Sequence, residues 1–319
     1  MTREECKMMQ GLGILVMIFF HLFEPHMNPE YANTIIGNMG RAANPVPFYC
    51  LLSGYGLYIV HSHGKDNHRW TRCFKLYVTY WLITTVFVSL SLLMGDTRCV
   101  ISLPVILENL TDWANTYYLP AWFILPYCIL AVCAKWIFSV SDKHNVWLVL
   151  ILGYMVYVFS SRMNVFDWFR MNFFQTLYIF FPFLLGGILA RTRFVEKSGL
   201  WLEKIPIVAV AGLLAVLMVI RYFLYTGAVI SFFWAAVIII AVDLIRRVGG
   251  GRVFIFFGRH NLNMWMIQAW ICWYLFRRQI YALGNPLLMF IVELGICVAL
   301  SMAFNILIQP LNKVLFNEK

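Results

Sequence analysis

Ten long apolar segments run through this chain, and they constrain its fold more than any other feature. The chain is 61% hydrophobic and 13% charged, whereas an average soluble domain carries about 25% charged residues. About 20 apolar residues cross a bilayer as an α-helix. The sequence therefore predicts an all-α polytopic membrane protein, a bundle of about ten transmembrane helices. The segments lie near residues 8–24, 44–62, 74–95, 119–139, 145–160, 171–190, 205–224, 227–245, 261–277 and 286–308.

The stretches between these segments are short, the longest lying near residues 25–43 and 96–118. Neither is long enough for a folded domain, so residues 1–319 are predicted to form a single integral-membrane domain. Any active site then lies within the helix bundle or at its edge. The first segment has a basic start but no small-x-small cleavage site, so we expect it to be retained.

Charge distribution predicts the orientation. Most of the 25 lysines and arginines fall in loops on the same side as the N-terminus. By the positive-inside rule both termini are expected in the cytoplasm, in a multi-pass protein of the cell membrane, inner or plasma. Arg277 and Arg278 oppose this trend. The net charge of +10 thus reflects topology and contact with membrane lipids, and no nucleic-acid partner is expected.

The eight cysteines are scattered without the spacing of a metal or redox motif. Most fall in apolar segments, where a buried thiol behaves as a small hydrophobic group. We therefore expect neither disulfides nor a metal site.

The strongest chemical signal is His21, near the far end of the first apolar segment. Ionisable side chains inside an apolar helix are costly and mostly functional. Gln10 precedes it by about 16 Å of helical rise and about three turns, so both side chains share one face. Glu24 follows three residues later and is predicted to orient the imidazole or raise its pKa. A structural histidine bonded to a backbone carbonyl is the competing interpretation.

A basic stretch, His61–Lys75, follows the second segment and holds three histidines. Arginine and lysine are the natural donors to phosphate, so the stretch predicts an anion site. Attachment to anionic lipids is the alternative. The histidine spacings are irregular and carboxylates are scarce, which argues against a metal.

The first segments resemble the acyltransferase 3 family of membrane proteins. The stretch from Gln10 to His21 is similar to its first-helix motif, a basic residue, Gly-Leu, an apolar run and histidine. The run Ser53-Gly-Tyr-Gly-Leu-Tyr58 looks like its Ser-Gly-Phe/Tyr-Leu segment. The family's two-cation motif aligns with either the pair Arg69 and Arg72 or the pair Arg72 and Lys75, and the second fits better.

The resemblance continues in order along nearly the whole chain. The later matches are Trp122-Phe123, the helix ending Phe183–Arg191, the segment Gly258–Gln268 and Pro310. Four positions depart from the family pattern. Gln10 replaces an arginine, Asn261 a serine and Gln268 a histidine, and the acidic residue before the late proline is missing.

The resemblance implies transfer of an acyl group, usually acetyl from acetyl-CoA, to a hydroxyl of a glycan or other envelope component. Acyl-CoA would be a co-substrate and not a permanently bound cofactor. A glycan or lipid-linked sugar would be the acceptor. Together, the residue patterns and the resemblance give these candidates: for catalysis, His21 and, from its spacing along the helix, Glu24; for acyl-CoA binding, Gln10, Arg69, Arg72 and Lys75; and for the acceptor pocket, Ser53, Tyr55, Trp122, Asn261 and Gln268.

Four aromatic residues near the fourth segment bear on the acceptor. Trp113, Tyr117, Tyr118 and Trp122 are candidates to stack on a sugar ring, or to form an interfacial aromatic belt.

Two other functions compete. A transporter or flippase for a lipid-linked glycan or small solute would also use an intramembrane histidine. The sequence has neither an inverted repeat nor paired Gly/Pro-broken segments to favour it. The other hypothesis is a non-catalytic relative that binds acyl-CoA. It is suggested by the replacement of the family's arginine, serine and histidine by Gln10, Asn261 and Gln268.

Overall fold

The computed structural model describes residues 1–64, 69–162, 168–224 and 227–316, and every regular element in those ranges is helical. The α-helices are α1 Arg3–Phe23, α2 Ile35–Ala42, α3 Val46–Ser62, α4 Arg69–Leu93, α5 Leu103–Leu110, α6 Ile124–Lys143, α7 Val146–Ser160, α8 Trp168–Arg191, α9 Phe194–Leu202, α10 Ile207–Phe223, α11 Ile230–Val248, α12 Gly251–Ala269, α13 Arg277–Tyr281 and α14 Pro286–Phe316. Short 3-10 turns cover Pro29–Tyr31, Leu119–Phe123 and Gly227–Val229, and a π-helical turn covers Trp270–Leu275.

Each of the ten predicted segments overlaps a helix, which confirms the all-helical class. The predicted segment 261–277 is shifted, because α12 begins at Gly251 and ends at Ala269. Within the described residues, five helical stretches are long and apolar enough to cross a membrane, judged by length and composition. The number of crossings and the side of each terminus stay predictions. The five stretches are Arg3–Phe23, Arg69–Leu93, Leu119–Lys143, Met171–Arg191 and Pro286–Phe316.

The chain divides into two compact units. The first comprises Met1–Asp66, Cys133–Met163 and Leu177–Asn261, and the second comprises Asn67–Val132, Asn164–Thr176 and Leu262–Lys319. Helices α6, α8 and α12 contribute residues to both units.

Two glycine contacts bring helix backbones together in the first unit. A Cβ atom on Gly11 of α1 would lie 1.9 Å from the Phe254 carbonyl oxygen, and one on Gly258 of α12 would lie 2.0 Å from the Lys7 carbonyl oxygen. Only glycine at both positions permits this approach of α1 to α12. Small residues play this part in membrane helices, where lipid offers no hydrophobic drive for helices to associate.

Helices α3 and α8 meet in the same way. A Cβ on Gly54 would lie 1.8 Å from the Phe183 carbonyl oxygen, and one on Gly186 would lie 2.0 Å from that of Leu51. The remaining first-unit core is apolar and aromatic, and it joins α1, α3, α7, α8 and α11.

The second unit has an aromatic core of its own. The ring of Trp270 stacks on Phe87 at 5.4 Å and on Tyr118 at 5.5 Å between centroids. Phe304 of α14 lies 6.1 Å from Phe87. These contacts join α4, α14 and the π-helical turn after α12.

Candidate active site

The first site feature is the turn that ends α1. Residues before proline avoid the α conformation, and Glu24, which precedes Pro25, is extended at φ −68°, ψ 123°. Asn28, fully buried, donates its side-chain N–H to the carbonyl oxygen of His21 at 2.9 Å and to that of Glu24 at 3.4 Å. It thereby supplies donors that the helix lacks at its C-terminus.

His21 and Glu24 are both buried, 6% and 7% exposed. The Glu24 carboxylate accepts the backbone N–H of Met27 at 3.2 Å. This contact makes Glu24 part of the same tight turn as His21. Orientation of the imidazole by Glu24 stays a prediction.

Helix α2 packs against this turn. A Cβ atom on Gly40 would lie 2.7 Å from the carbonyl carbon of Phe23, so the two backbones touch next to His21. The ring of Tyr31 meets Phe23 edge-on at 5.3 Å. The end of α1 is therefore enclosed by protein within the first unit.

Two side chains hold the corner between α2 and α3. Arg221, 3% exposed at the end of α10, donates to the carbonyl oxygens of Ala42 and Leu224, each at 3.0 Å. The Trp234 indole donates to the Asn44 carbonyl oxygen at 2.7 Å. These bonds fix the corner that follows the His21 turn.

A second polar group lies farther back along α1. The Tyr49 hydroxyl donates to the Gln10 carbonyl oxygen at 3.4 Å and also hydrogen-bonds the Asn261 side chain. The structure thus brings together two predicted residues, Gln10 and Asn261, through one that was not predicted. The side-chain oxygen of Gln10 is buried and has no hydrogen-bond partner among the described residues.

Tyr55 lies elsewhere in the first unit. Its hydroxyl donates to Glu196 of α9 at 2.5 Å and it also contacts the Met1 nitrogen. The 21 residues of α1 rise about 31 Å, so Tyr55 and His21 are at opposite ends of that helix. Ser53, half-buried, is on the same helix as Tyr55.

The predicted cations of α4 belong to the second unit. Arg69 donates to the Val132 carbonyl oxygen at 3.0 Å. Arg72, which is exposed, hydrogen-bonds Tyr127. The Lys75 ammonium lies 4.9 Å from the centre of the Phe316 ring. Residues 65–68 of the preceding basic stretch, including Lys65 and His68, lie outside the described residues.

The remaining acceptor candidates are also in the second unit. Trp122 is half-buried in the 3-10 turn before α6, with the Phe123 ring edge-on at 6.0 Å. Gln268 is fully buried on α12. Tyr118 is buried too, and its hydroxyl donates to the Trp265 carbonyl oxygen at 2.5 Å.

The neighbouring aromatic residues differ in exposure. Tyr117 is buried and its hydroxyl donates to the Val100 carbonyl oxygen at 2.7 Å. Trp113 is 39% exposed. Of this pair, Trp113 presents the more accessible ring.

Sequence reasoning missed several buried polar residues of the described chain, among them Asn28, Arg221 and Glu293. Asn28 carries no motif, and only its position just beyond the Pro25 turn hinted at a cap. Arg221 had no predicted role, yet it is buried. Glu293 is fully buried in α14, where its carboxylate accepts the Cys297 thiol at 3.5 Å. For Arg221 and Glu293 the signal was present, an ionisable residue inside an apolar segment.

The described part of the chain contains no group of three or more His, Cys, Asp or Glu that could hold a metal ion. The eight cysteines are free.

The long apolar helices and the buried polar turn of α1 define a helical membrane protein with polar groups in its interior. Comparison with protein families matches residues 6–309 to the acyltransferase 3 model, described as an acyltransferase domain. The chain therefore belongs to the acyltransferase 3 family. No curated protein and no solved structure matches it.

Proposed function

We propose that this protein is a membrane O-acyltransferase that moves an acyl group, most simply acetyl, from cytoplasmic acetyl-CoA to a hydroxyl of a cell-envelope glycan. The observation that carries the proposal is His21, buried at the fixed end of α1 in a chain of an acyltransferase family. Histidine is the most frequent general base in proteins.

The proposed reaction needs one proton acceptor. The His21 imidazole takes the proton of the acceptor hydroxyl while the hydroxyl oxygen bonds to the thioester carbonyl carbon. The C–S bond then breaks, and the imidazolium returns the proton to the thiolate. The products are an ester and free CoA. In the variant mechanism His21 attacks first and carries the acyl group itself.

The other assignments follow the family pattern. Glu24 supports the base. Gln10, Arg69, Arg72 and Lys75 are proposed to bind acyl-CoA. Ser53, Tyr55, Trp122, Asn261 and Gln268 are proposed to contact the acceptor.

The test is thiol release from acetyl-CoA by the purified protein in nanodiscs, first without and then with candidate glycan acceptors. We expect His21→Ala to abolish release while the variant still folds and inserts. His26→Ala is the matched control, because His26 is exposed in the turn just beyond α1. That variant should keep wild-type turnover.

The outcomes separate the candidate functions. Full turnover by His21→Ala would remove His21 from the mechanism. Binding of acetyl-CoA by the wild type without turnover with any acceptor would support a non-catalytic relative. Absence of binding, together with proton-driven uptake of a solute, would support a transporter.

A further inference from the structure

Three cations lie at the N-terminal end of α1 in the first unit: Arg3, Lys7 and Arg259, here called the cation trio. The Lys7 ammonium donates to the Gly258 carbonyl oxygen at 3.4 Å, directly beside Arg259 in sequence. The charges of Arg3 and Arg259 both act on the Lys7 ammonium.

The trio differs from other cations of this unit in its ion pairing. In the described part of the chain, none of its members forms an ion pair with a carboxylate. A nearby arginine, Arg246, does form ion pairs, with Glu5 at 2.5 Å and with Glu203 at 3.4 Å. Among the described residues, the lack of an ion pair with a carboxylate therefore applies to the trio and not to every cation at this end of the unit.

Backbone packing holds these like charges together. The approach of α1 to α12 at Gly11 and Gly258 fixes the distance between the helices that carry the trio. Arg3 and Lys7 are also four residues apart on one helix, where like charges repel. A bound anion would relieve this repulsion.

The trio and His21 are connected by one face of α1. Lys7 and His21 are fourteen residues apart, which gives about 21 Å of rise and about 40° of rotation around the helix. Gln10 lies between them, with its buried side-chain oxygen unpartnered among the described residues. In acyl-CoA a long pantetheine arm with two amide N–H groups likewise separates the phosphates from the thioester.

We infer that the cation trio binds the phosphate groups of acyl-CoA and that the Gln10 side-chain oxygen accepts an N–H from the pantetheine arm. This inference rests on the proposed function. Arginine and lysine are the usual phosphate donors. The neighbouring cavity of about 210 Å³ is unsuited to the phosphates, because Glu5, Glu196, Glu203 and Asp243 line it.

The test compares acetyl-CoA with S-acetylpantetheine, which carries the same thioester and arm without phosphates. Lys7→Gln, Arg3→Gln and Arg259→Gln should each raise the KM for acetyl-CoA by about tenfold with kcat unchanged, because they remove binding shared by ground and transition states. The KM for S-acetylpantetheine should not move. Lys7→Arg, which keeps the positive charge, should retain the wild-type KM for acetyl-CoA. Lys197→Gln, which removes an exposed cation of α9, should leave both KM values unchanged.

Nanodiscs of phosphatidylcholine, with and without phosphatidylglycerol, distinguish the donor from a lipid headgroup. Wild-type turnover with an unchanged acetyl-CoA KM in all three trio variants would overturn the inference and leave the proposed function standing. The inference would also be overturned if the three trio variants changed only in how their turnover depends on phosphatidylglycerol. That result would show that the trio binds the phosphate of a lipid headgroup. Failure of the wild type to bind or consume acetyl-CoA would overturn the proposed function as well.

Discussion

At the scale of single residues, backbone carbonyls bind several of the polar side chains in the described part of the chain. Asn28 serves the end of α1, Arg221 the corner after α2, and Trp234 the carbonyl of Asn44. In an apolar medium an unpaired polar group is costly, so a hydrogen-bond donor at each of these backbone carbonyls stabilises the fold. The turn that carries His21 and the corner after it are therefore held by side chains to which no chemical step is assigned.

Asn28→Ala tests that support. Loss of the side-chain N–H frees the His21 carbonyl and loosens the turn, so we expect kcat to fall by about tenfold or more, since small misplacements of a base are expensive. The KM for acetyl-CoA should change little. Assay of thiol release with a parallel melting curve measures both effects. Unchanged kcat in a folded variant would show that the turn does not position His21.

Arg221→Gln tests the corner. The shorter side chain would leave buried carbonyls of Ala42 and Leu224 without their charged donor, at a cost of about 1.5–3 kcal/mol. The expected result is a lower melting temperature in detergent. Arg162→Gln is the control, because Arg162 is exposed. Equal melting temperatures for the two variants would contradict a structural role for Arg221.

At the scale of helices, glycine decides which elements can touch. The pairs Gly11–Gly258 and Gly54–Gly186 bring backbone against backbone at distances that no Cβ atom tolerates. Neither contact can relax by moving a flexible side chain, because the obstructing atoms belong to the main chain. The helices would have to separate instead.

Gly54→Ala should therefore lower stability, by about 1–3 kcal/mol as for other overpacked sites, or prevent folding. Gly56→Ala is the matched control, because it lies one half-turn away on α3 and a Cβ there meets nothing within 4 Å. Thermal melting and the yield of monodisperse protein report the difference. A Gly54→Ala variant as stable as Gly56→Ala would refute the close α3–α8 contact.

At the scale of the whole molecule, orientation in the membrane is the open prediction. Glu30 and Lys197 are both exposed, one beyond the end of α1 and the other on α9, which contacts the chain near the start of α1. If α1 crosses the bilayer with its N-terminus inside, these two positions face opposite compartments.

Glu30→Cys and Lys197→Cys make this measurable with a membrane-impermeant maleimide on intact cells. We expect labelling of position 30 alone, and labelling of position 197 only after the membrane is opened. The native cysteines give a low background, because all eight are buried or half-buried. Labelling of position 197 in intact cells would contradict the predicted orientation.

The sequence by itself determined the helical class and the approximate location of each long helix. It also identified His21 as an ionisable residue inside an apolar segment. Lipid leaves backbone groups no partner but one another, so a long apolar segment must become a helix. It also determined the family, because the motifs recur in order along the chain.

Only the tertiary structure decided which helices touch, how Asn28 closes the His21 turn, and that Gln10 and Asn261 share Tyr49 as a partner. The sequence could not reveal these contacts for a physical reason. Surfaces that face lipid and surfaces that face protein are equally apolar, so hydrophobic pattern does not tell them apart. The partners are selected by backbone fit and by single polar bonds between residues far apart in the chain.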